Sequence, residues 1–121
     1  MGEVYTGAFK LHGDDITAIS AETVLAPELV ELPDDRNDWH GIGTGFAAVD
    51  GALASRLPSR FVSISPTALP HAAAVARLAA AAFARGEAVA PEQVEPAYLR
   101  NNVALTIAEQ QALRAQKDAA K

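Results

Sequence analysis

The alanine-rich stretch between Ser65 and Gly86 is the feature that most constrains what this chain can fold into. Ser65 can cap a helix, Pro66 suits the first helical position, and Gly86 suits the position after a helix end, which together predict a helix over 66–85. Pro70 lies one turn in and predicts a slight bend. Apolar side chains occupy two adjoining faces, one with Leu69, Ala73, Ala76, Ala80 and Phe83, the other with Val75, Leu78, Ala79 and Ala82. Only a narrow stripe of the helix surface is left to face solvent, so we expect this helix to be packed on more than one side.

Two alternating segments near the N-terminus predict a β-hairpin. Apolar and polar side chains alternate over residues 4–11, as expected for a strand with one buried face. A second β-rich pattern covers residues 16–25. Residues 12–15, with the sequence HGDD, have the composition of a turn. We therefore expect the two segments to pair as antiparallel strands.

The middle of the chain alternates between strand and helix signals. Residues 27–32 predict one or two helical turns that end at Pro33, and an acidic, solvated loop follows. Residues 39–44 form a short apolar run broken by glycines, and residues 46–54 predict a short helix. The segment RFVSIS at 60–65 predicts a better-buried strand.

These elements predict an α/β fold. Strand pairs followed by strand–helix alternation are typical of a layered structure with a mixed sheet. Thr106 and Glu109 form a capping box that predicts a final helix to about Asp118, and its polar composition indicates a solvent-exposed tail. We assign residues 1–104 to one domain and residues 105–121 to a C-terminal helix or tail.

Composition and charge narrow the function classes. The chain has no cysteine, which excludes disulfides and thiolate metal sites and favours a cytoplasmic location. It contains neither an apolar run of membrane-spanning length nor a signal-peptide pattern at its start, so no membrane association is expected. Residues 1–50 hold ten acidic and two basic side chains, net −8, whereas the remainder is net +3. Such an acidic half disfavours direct binding of a nucleic acid, so we do not expect this chain to be the main surface that contacts one.

A glycine-rich segment, GIGTGFAA, is the first candidate for a binding site. Gly43, Gly45 and Ala48 have the G-x-G-x-x-A spacing that lets a backbone approach a dinucleotide pyrophosphate. The acidic residue that would bind the ribose is missing about twenty residues on, where the strand offers Ser63 and Ser65. We therefore favour a tight strand-to-helix turn, with nucleotide binding at residues 41–45 as the alternative.

The other polar side chains predict no reactive centre. His12, His40 and His71 lack the spacing that places two imidazoles on one helix face. The aspartates Asp14, Asp15, Asp34, Asp35 and Asp38 lie in turn-like loops without calcium-loop spacing, which favours solvated turns. Ser63 and Ser65 are not part of a nucleophile elbow. We accordingly predict no catalytic residue, no bound cofactor and no metal site.

The segment EPAYLRNNVA, residues 95–104, stands out from the alanine-rich sequence around it. Arg100 could bind a phosphate or a carboxylate. The alternative that we favour has Tyr98 and Leu99 packed in the core, with Arg100, Asn101 and Asn102 satisfying loop backbone groups.

Three stretches of the sequence resemble the TsaB family of bacterial proteins. They are MGEVYTGAF at the start, ARGEAVAPEQVEP after the long helix, and above all EPAYLRNNVA. The resemblance spans nearly the whole chain and is weakest over residues 34–60. Members of this family are required to make N6-threonylcarbamoyladenosine in tRNA. The stretch that resembles MGEVY lies inside the family's longer chain, which places Met1 at an internal position.

The resemblance implies a fold of the sugar kinase, Hsp70 and actin (ASKHA) superfamily. Such proteins have two related α/β lobes of RNase H-like topology, and this sequence would form the C-terminal lobe, a mixed sheet with an antiparallel hairpin and packed helices. The resemblance also implies a non-catalytic scaffold that supports the threonylcarbamoyl transferase TsaD, in a complex that recruits the ATPase TsaE. Because the family's contacts with TsaD lie mainly in the N-terminal lobe, no interface residue is carried over to this sequence.

Two alternative functions remain open for this sequence, a glycoprotease-like metallopeptidase and a nucleotide-binding domain.

A lobe without its neighbouring lobe exposes apolar side chains, and burial of each is worth roughly 1.5–3 kcal/mol. We therefore expect the isolated chain to self-associate.

Overall fold

The computed structural model describes residues 2–100 and 107–120. Within them lie six strands and three α-helices. The strands are β1 (Val4–Thr6), β2 (Phe9–His12), β3 (Asp15–Ala18), β4 (Thr23–Leu25), β5 (Trp39–Ile42) and β6 (Phe61–Ser65), and the helices are α1 (Ala48–Arg56), α2 (Ala72–Ala84) and α3 (Ile107–Ala119). Short 3₁₀ turns occupy Pro27–Leu29, Thr44–Phe46 and Pro91–Gln93. No helix among the described residues is long and apolar enough to span a membrane.

The N-terminal hairpin is confirmed, with one irregularity. β2 pairs antiparallel with β3 and β1 pairs antiparallel with β4. Gly13, with φ of 61°, provides the left-handed first position of the two-residue turn between β2 and β3. Two residues separate β1 from β2, whereas four separate β3 from β4, so the second arm carries two extra residues. The arms stay connected there, because Ile19 N–H donates to the Ala8 carbonyl and Ala8 N–H donates to Ser20 Oγ, each at 2.9 Å.

The outer half of this hairpin has one apolar and one polar face. Phe9 pairs with Ala18 and Leu11 with Ile16, so these four side chains share a face. Lys10, His12, Asp15 and Thr17 form the opposite face. There Arg85, just after α2, binds Asp15 at 2.6 Å and also pairs with Glu87. The hydrogen bonds from the Ile16 backbone and from Arg85 lower the pKa of Asp15. α2 is therefore attached to the polar face, and the apolar face remains open.

The expected mixed sheet is not formed as a single unit. β5 and β6 pair parallel, but the described residues form three separate two-stranded sheets. The register of β5 and β6 shifts between Trp39 and His40. Sequence alternation identifies strands correctly, yet it does not say which strand edges meet, because that depends on long-range packing.

The predicted start of the long helix is wrong by six residues. α2 begins at Ala72, and residues 66–71 form a turn followed by extended chain. Pro70 explains the difference, because it has no N–H to donate and forces the residue before it out of the helical region. Ser65 and Pro66 therefore do not begin the helix, whereas its end near Gly86 is confirmed by the positive φ of 77° at that glycine.

The expectation that this helix is packed on more than one side is also wrong for the chain by itself. No residue of α2 is buried, and only Leu78, Ala81 and Ala82 are half-buried. Val75 and Phe83 are 60% and 73% exposed. α3 is likewise exposed along its described length, as predicted, while its proposed cap Thr106 and the domain boundary at 104 lie outside the described residues.

The core is small and lies beneath the start of the hairpin. Val4, Val30 and Leu53 are at most 6% exposed, and Leu25, Phe46, Ala48 and Leu57 pack around them. Pro27 is the most completely buried side chain among the described residues. Arg56 reinforces this region by donating to the Pro27 carbonyl at 3.1 Å. The aromatic rings of Phe46 and Phe61 meet edge to face at 5.2 Å and extend the packing toward β6.

The beginning of α1 contains a strained run of backbone. Val49, Asp50 and Gly51 all have positive φ, at 51°, 54° and 73°. A left-handed conformation costs an L-residue roughly 1–2 kcal/mol, and a β-branched side chain such as valine is poorly suited to it. Val49 is half exposed, so its side chain recovers little of that cost through packing.

We predict that Val49→Gly stabilises the chain by about 1 kcal/mol, because glycine adopts positive φ without steric cost. The measurement is the free energy of unfolding in urea. Val62→Gly is the matched control, since Val62 is similarly exposed but lies in extended β6, where glycine should destabilise. A loss of stability in Val49→Gly equal to that of the control would contradict the strain at this position.

Candidate functional site

One cleft brings several of the sequence candidates together. It has a volume of about 1280 Å³ and lies between the N-terminal hairpin and the β5–β6 pair. Its hairpin side includes Val4, Phe9 and Leu11, and its other side includes residues 39–45 and part of β6. The lining is mainly apolar with a few polar groups, a composition typical of binding sites.

The glycine-rich segment forms the predicted turn at one side of this cleft. Gly41 is buried, and a Cβ there would lie 2.6 Å from the Phe46 ring, so the ring packs directly on the strand backbone. Gly43 has φ of 118°, a conformation that favours glycine. A Cβ on Gly45 would lie at an ordinary 3.5 Å from Val4. The chain then enters a single 3₁₀ turn, Thr44–Phe46, ahead of the strained start of α1. Gly41 and Gly43 thus have packing and conformational roles that require no nucleotide.

One histidine and one serine meet on the β5–β6 pair. His40 Nδ1 lies 2.7 Å from Ser63 Oγ, both side chains are exposed, and both line the cleft. The sequence offered no signal for this pairing, because it depends on the register that places His40 opposite Ser63. A hydrogen-bonded serine and imidazole are the first two members of a nucleophile–base–orienting-group arrangement.

The acidic loop before β5 is tied to the protein by arginines. Arg36 donates to Asp34 through its backbone N–H at 3.0 Å and through Nε at 2.9 Å. Arg60 donates to the Arg36 and Asp34 carbonyls. Desolvation raises the pKa of Asp34, but the hydrogen bonds from Arg36 outweigh it, so the pKa lies below its ordinary value. The buried Trp39 Nε1 contributes to this lowering, although its geometry falls short of a hydrogen bond to any described residue.

The segment before residue 101 returns to the beginning of the chain. Arg100 binds Glu3 at 2.5 Å, and its guanidinium lies 5.9 Å from the centre of the Tyr5 ring. The side chain of Arg100 is only 17% exposed, so it does clamp a carboxylate, and that carboxylate is the chain's own. Tyr98, in contrast, is 69% exposed with φ of 46°, so the expectation that it packs in the core is wrong, whereas Leu99 is half-buried. Asn101 and Asn102 lie outside the described residues.

The comparison with known proteins identifies the relatives of this chain. Over 86% of its length the chain is 36% identical to the tRNA threonylcarbamoyladenosine biosynthesis protein TsaB of Escherichia coli. The chain is a homologue of part of TsaB. The match covers 46% of the E. coli protein, so the chain spans about half the length of this curated relative. No protein-family model matches the chain.

Two solved structures from Pseudomonas aeruginosa share the fold of this TsaB-like chain. One is YeaZ, and the other is described as an uncharacterised protein with similarity to the peptidase YeaZ. Each is 41% identical to the chain, with a TM-score of 0.70, and the match covers 82–83% of this chain and 45% of the other. The α/β fold of this chain is therefore shared with part of each of these two structures.

Within the described part of the TsaB-like chain, no three His, Cys, Asp or Glu side chains are grouped so that they could hold a metal ion. His12 and His71 are both remote from His40 in sequence and are not among the residues that line the cleft. Asp15 and Asp34 both pair with arginine, and Asp38 alone of the five predicted turn aspartates lines the cleft. The cleft thus brings together His40, Ser63, Ser65 and Asp38 beside the glycine turn.

For the glycine turn of the TsaB-like chain, we predict that Gly41→Ala destabilises by about 1–3 kcal/mol, because the new methyl group would overlap the Phe46 ring. Gly45→Ala is the matched control, since its methyl group would make only ordinary contacts. Both free energies of unfolding are measured in urea. Equal effects of the two substitutions would show that close packing of Phe46 on Gly41 does not determine the turn.

Proposed function

We propose that this chain forms the C-terminal lobe of a TsaB-type protein that acts in tRNA N6-threonylcarbamoyladenosine biosynthesis. The observation that carries the proposal is the 36% identity to E. coli TsaB over 86% of the chain. In this proposal the lobe has RNase H-like topology and belongs to a two-lobed, actin-like body. That body is a cytoplasmic scaffold for TsaD, with TsaE recruited to the same complex and tRNA contacted only indirectly.

The distribution of apolar side chains supports a lobe that belongs to a larger body. Val75 and Phe83 on α2 and Leu11 on the hairpin are each at least 60% exposed. A soluble protein rarely leaves so many large apolar side chains uncovered unless they mark an interaction surface. A chain matching less than half of its relatives' length is expected to expose the faces that the other half covers.

The scaffold role assigns the chemistry to TsaD and none to this chain. Three of the charged side chains that the sequence singled out have structural partners: Arg100 binds Glu3, Asp34 binds Arg36, and Asp15 binds Arg85. Exposed pairs of this kind add little stability, but they leave these side chains engaged within the chain. We therefore propose no catalytic residue, cofactor or metal ligand.

The test is a chimera in which this chain replaces the matching part of E. coli TsaB. We expect it to restore N6-threonylcarbamoyladenosine in tRNA when native TsaB is depleted, and only while TsaD is present. The readout is mass spectrometry of digested tRNA nucleosides. A folded chimera that supports no modification would contradict the assignment to this pathway, and modification without TsaD would contradict the scaffold role.

Tyr98 and Arg100 have distinct places in this proposal. Arg100 holds the returning segment against Glu3 and Tyr5, which leaves Tyr98 projecting in a conformation that non-glycine residues seldom adopt. Residues held in such conformations cluster at functional sites, and tyrosine is enriched at the centres of interfaces. We propose that Tyr98 packs against the other lobe.

We predict that Tyr98→Ala changes the stability of the isolated chain by less than about 0.5 kcal/mol, because the side chain is exposed there. In the chimera the same substitution should destabilise by about 1.5–3 kcal/mol, the worth of burying a large apolar side chain. Tyr98→Phe is the control and should retain most of that stability. Equal, small effects of Tyr98→Ala in both proteins would rule out packing between lobes.

A peptidase is the second candidate, favoured by one observation. His40 and Ser63 are hydrogen-bonded in the cleft, and a structural relative is described as similar to a peptidase. Turnover of a peptide substrate by the purified chain, lost in Ser63→Ala, would favour this candidate. Zinc that copurifies in stoichiometric amount would instead favour the metallopeptidase alternative.

A further inference from the structure

Residues 87–100, which follow α2, form an extended segment that we call the strap. Every residue of the strap up to Tyr98 is exposed, whereas Leu99 and Arg100 are half-buried. Arg100 binds Glu3 near the start of the chain. The last residues of the strap therefore hold it to the rest of the described chain, and the part before them lies open to solvent.

The backbone of the strap is already extended. Ala90, with φ of −64° and ψ of 148°, and Val94, with φ of −73° and ψ of 121°, lie on either side of the 3₁₀ turn Pro91–Gln93. Pro96 fixes φ further along and restricts the residue before it to extended conformations. A segment that is extended before it binds loses less conformational entropy on binding.

Three large apolar side chains of the strap are exposed. Val89, Val94 and Tyr98 are 60%, 66% and 69% exposed. Apolar side chains spaced along an extended segment are the groups that a protein surface recognises in pockets. The strap also carries three glutamates and one arginine, which disfavours a nucleic acid as its occupant. A protein surface with apolar pockets is the occupant that fits.

The anchor of the strap lies where the other lobe would join. In the two-lobed body proposed above, on which this inference rests, the other lobe precedes this one and connects to it ahead of Glu3. Arg100 binds Glu3 at 2.5 Å and lies 5.9 Å from the centre of the Tyr5 ring. The chain matches 46% of E. coli TsaB, so the relative has a further surface of comparable size. That surface would begin within a few residues of the anchor.

We propose that the strap docks on the other lobe through Val94 and Tyr98, and that the pair between Glu3 and Arg100 positions it for this contact. Arg100 acts as a positioning residue, because its own side chain is engaged within this lobe. It is only 17% exposed and also contacts the Tyr5 ring, so solvent screens the pair less than it screens a surface pair. Loss of the pair frees the end of the strap and raises the entropic cost of docking.

The experiment follows hydrogen exchange of the strap amides by mass spectrometry, in the isolated chain at low concentration and in the chimera with E. coli TsaB. In the isolated chain these amides should exchange rapidly, because the strap is exposed. In the chimera they should exchange at least about tenfold more slowly, the change that burial of one large apolar side chain provides.

The two readouts of the chimera separate this inference from the proposed function. Equal exchange rates in the isolated chain and in a chimera that restores tRNA modification would overturn the docking and leave the proposed function standing. Slow exchange in a folded chimera that supports no modification would uphold the docking, although the assignment to the pathway would fail.

Variants of the pair test the anchor. Arg100→Gln and Glu3→Gln each break the pair from one side, and we expect either to return the strap amides of the chimera to the fast rates of the isolated chain. Glu3→Gln keeps the test valid if Arg100→Gln does not fold, since Glu3 is exposed. Arg100→Lys retains the charge that binds Glu3 and should keep most of the protection.

Arg77→Gln is the matched control, because it removes one positive charge from an exposed position of α2. It should leave the slow exchange of the strap in the chimera unchanged. Full protection of the strap in folded Arg100→Gln or Glu3→Gln would overturn the positioning role. An equal loss of protection in Arg77→Gln would also overturn it, because net charge would then explain the effect.

Discussion

The limited burial of apolar side chains is the constraint on which the rest of this structure depends. Half of the residues are apolar, yet in the part of the chain that the structure describes the core consists of Val4, Val30 and Leu53 with a few partly buried neighbours. Alanine accounts for much of that apolar content and buries little surface for each residue that is ordered. The protein therefore relies on backbone pairing and on faces that another molecule can cover.

The sequence predicted the local structure well where a short-range rule decides it. Alternation and the HGDD turn identified the hairpin, and Gly86 marked the end of α2, because each depends only on neighbouring backbone conformations. The predicted start of α2 was wrong because Pro70 overrides the capping signals at Ser65 and Pro66. The single mixed sheet was wrong because alternation contains no information on which edges meet.

The contacts within the candidate site were less predictable, since most join residues that are remote in sequence. Ser63 contacts His40 across 23 positions, and Arg100 contacts Glu3 across 97. The sequence allowed Arg100 to bind a carboxylate but favoured a role in satisfying loop backbone groups, and its partner Glu3 is identified only in the folded chain. The glycine spacing correctly predicted a tight turn. The packing reason for Gly41 could not be predicted, because the contact with the Phe46 ring exists only in the folded chain.

The ion pair between Arg100 and Glu3 has a topological consequence. It brings the returning polypeptide to within one side-chain contact of the place where β1 begins, although almost the whole fold lies between them in sequence. A segment whose two ends adjoin in this way can have its order permuted with little disturbance of the backbone between them.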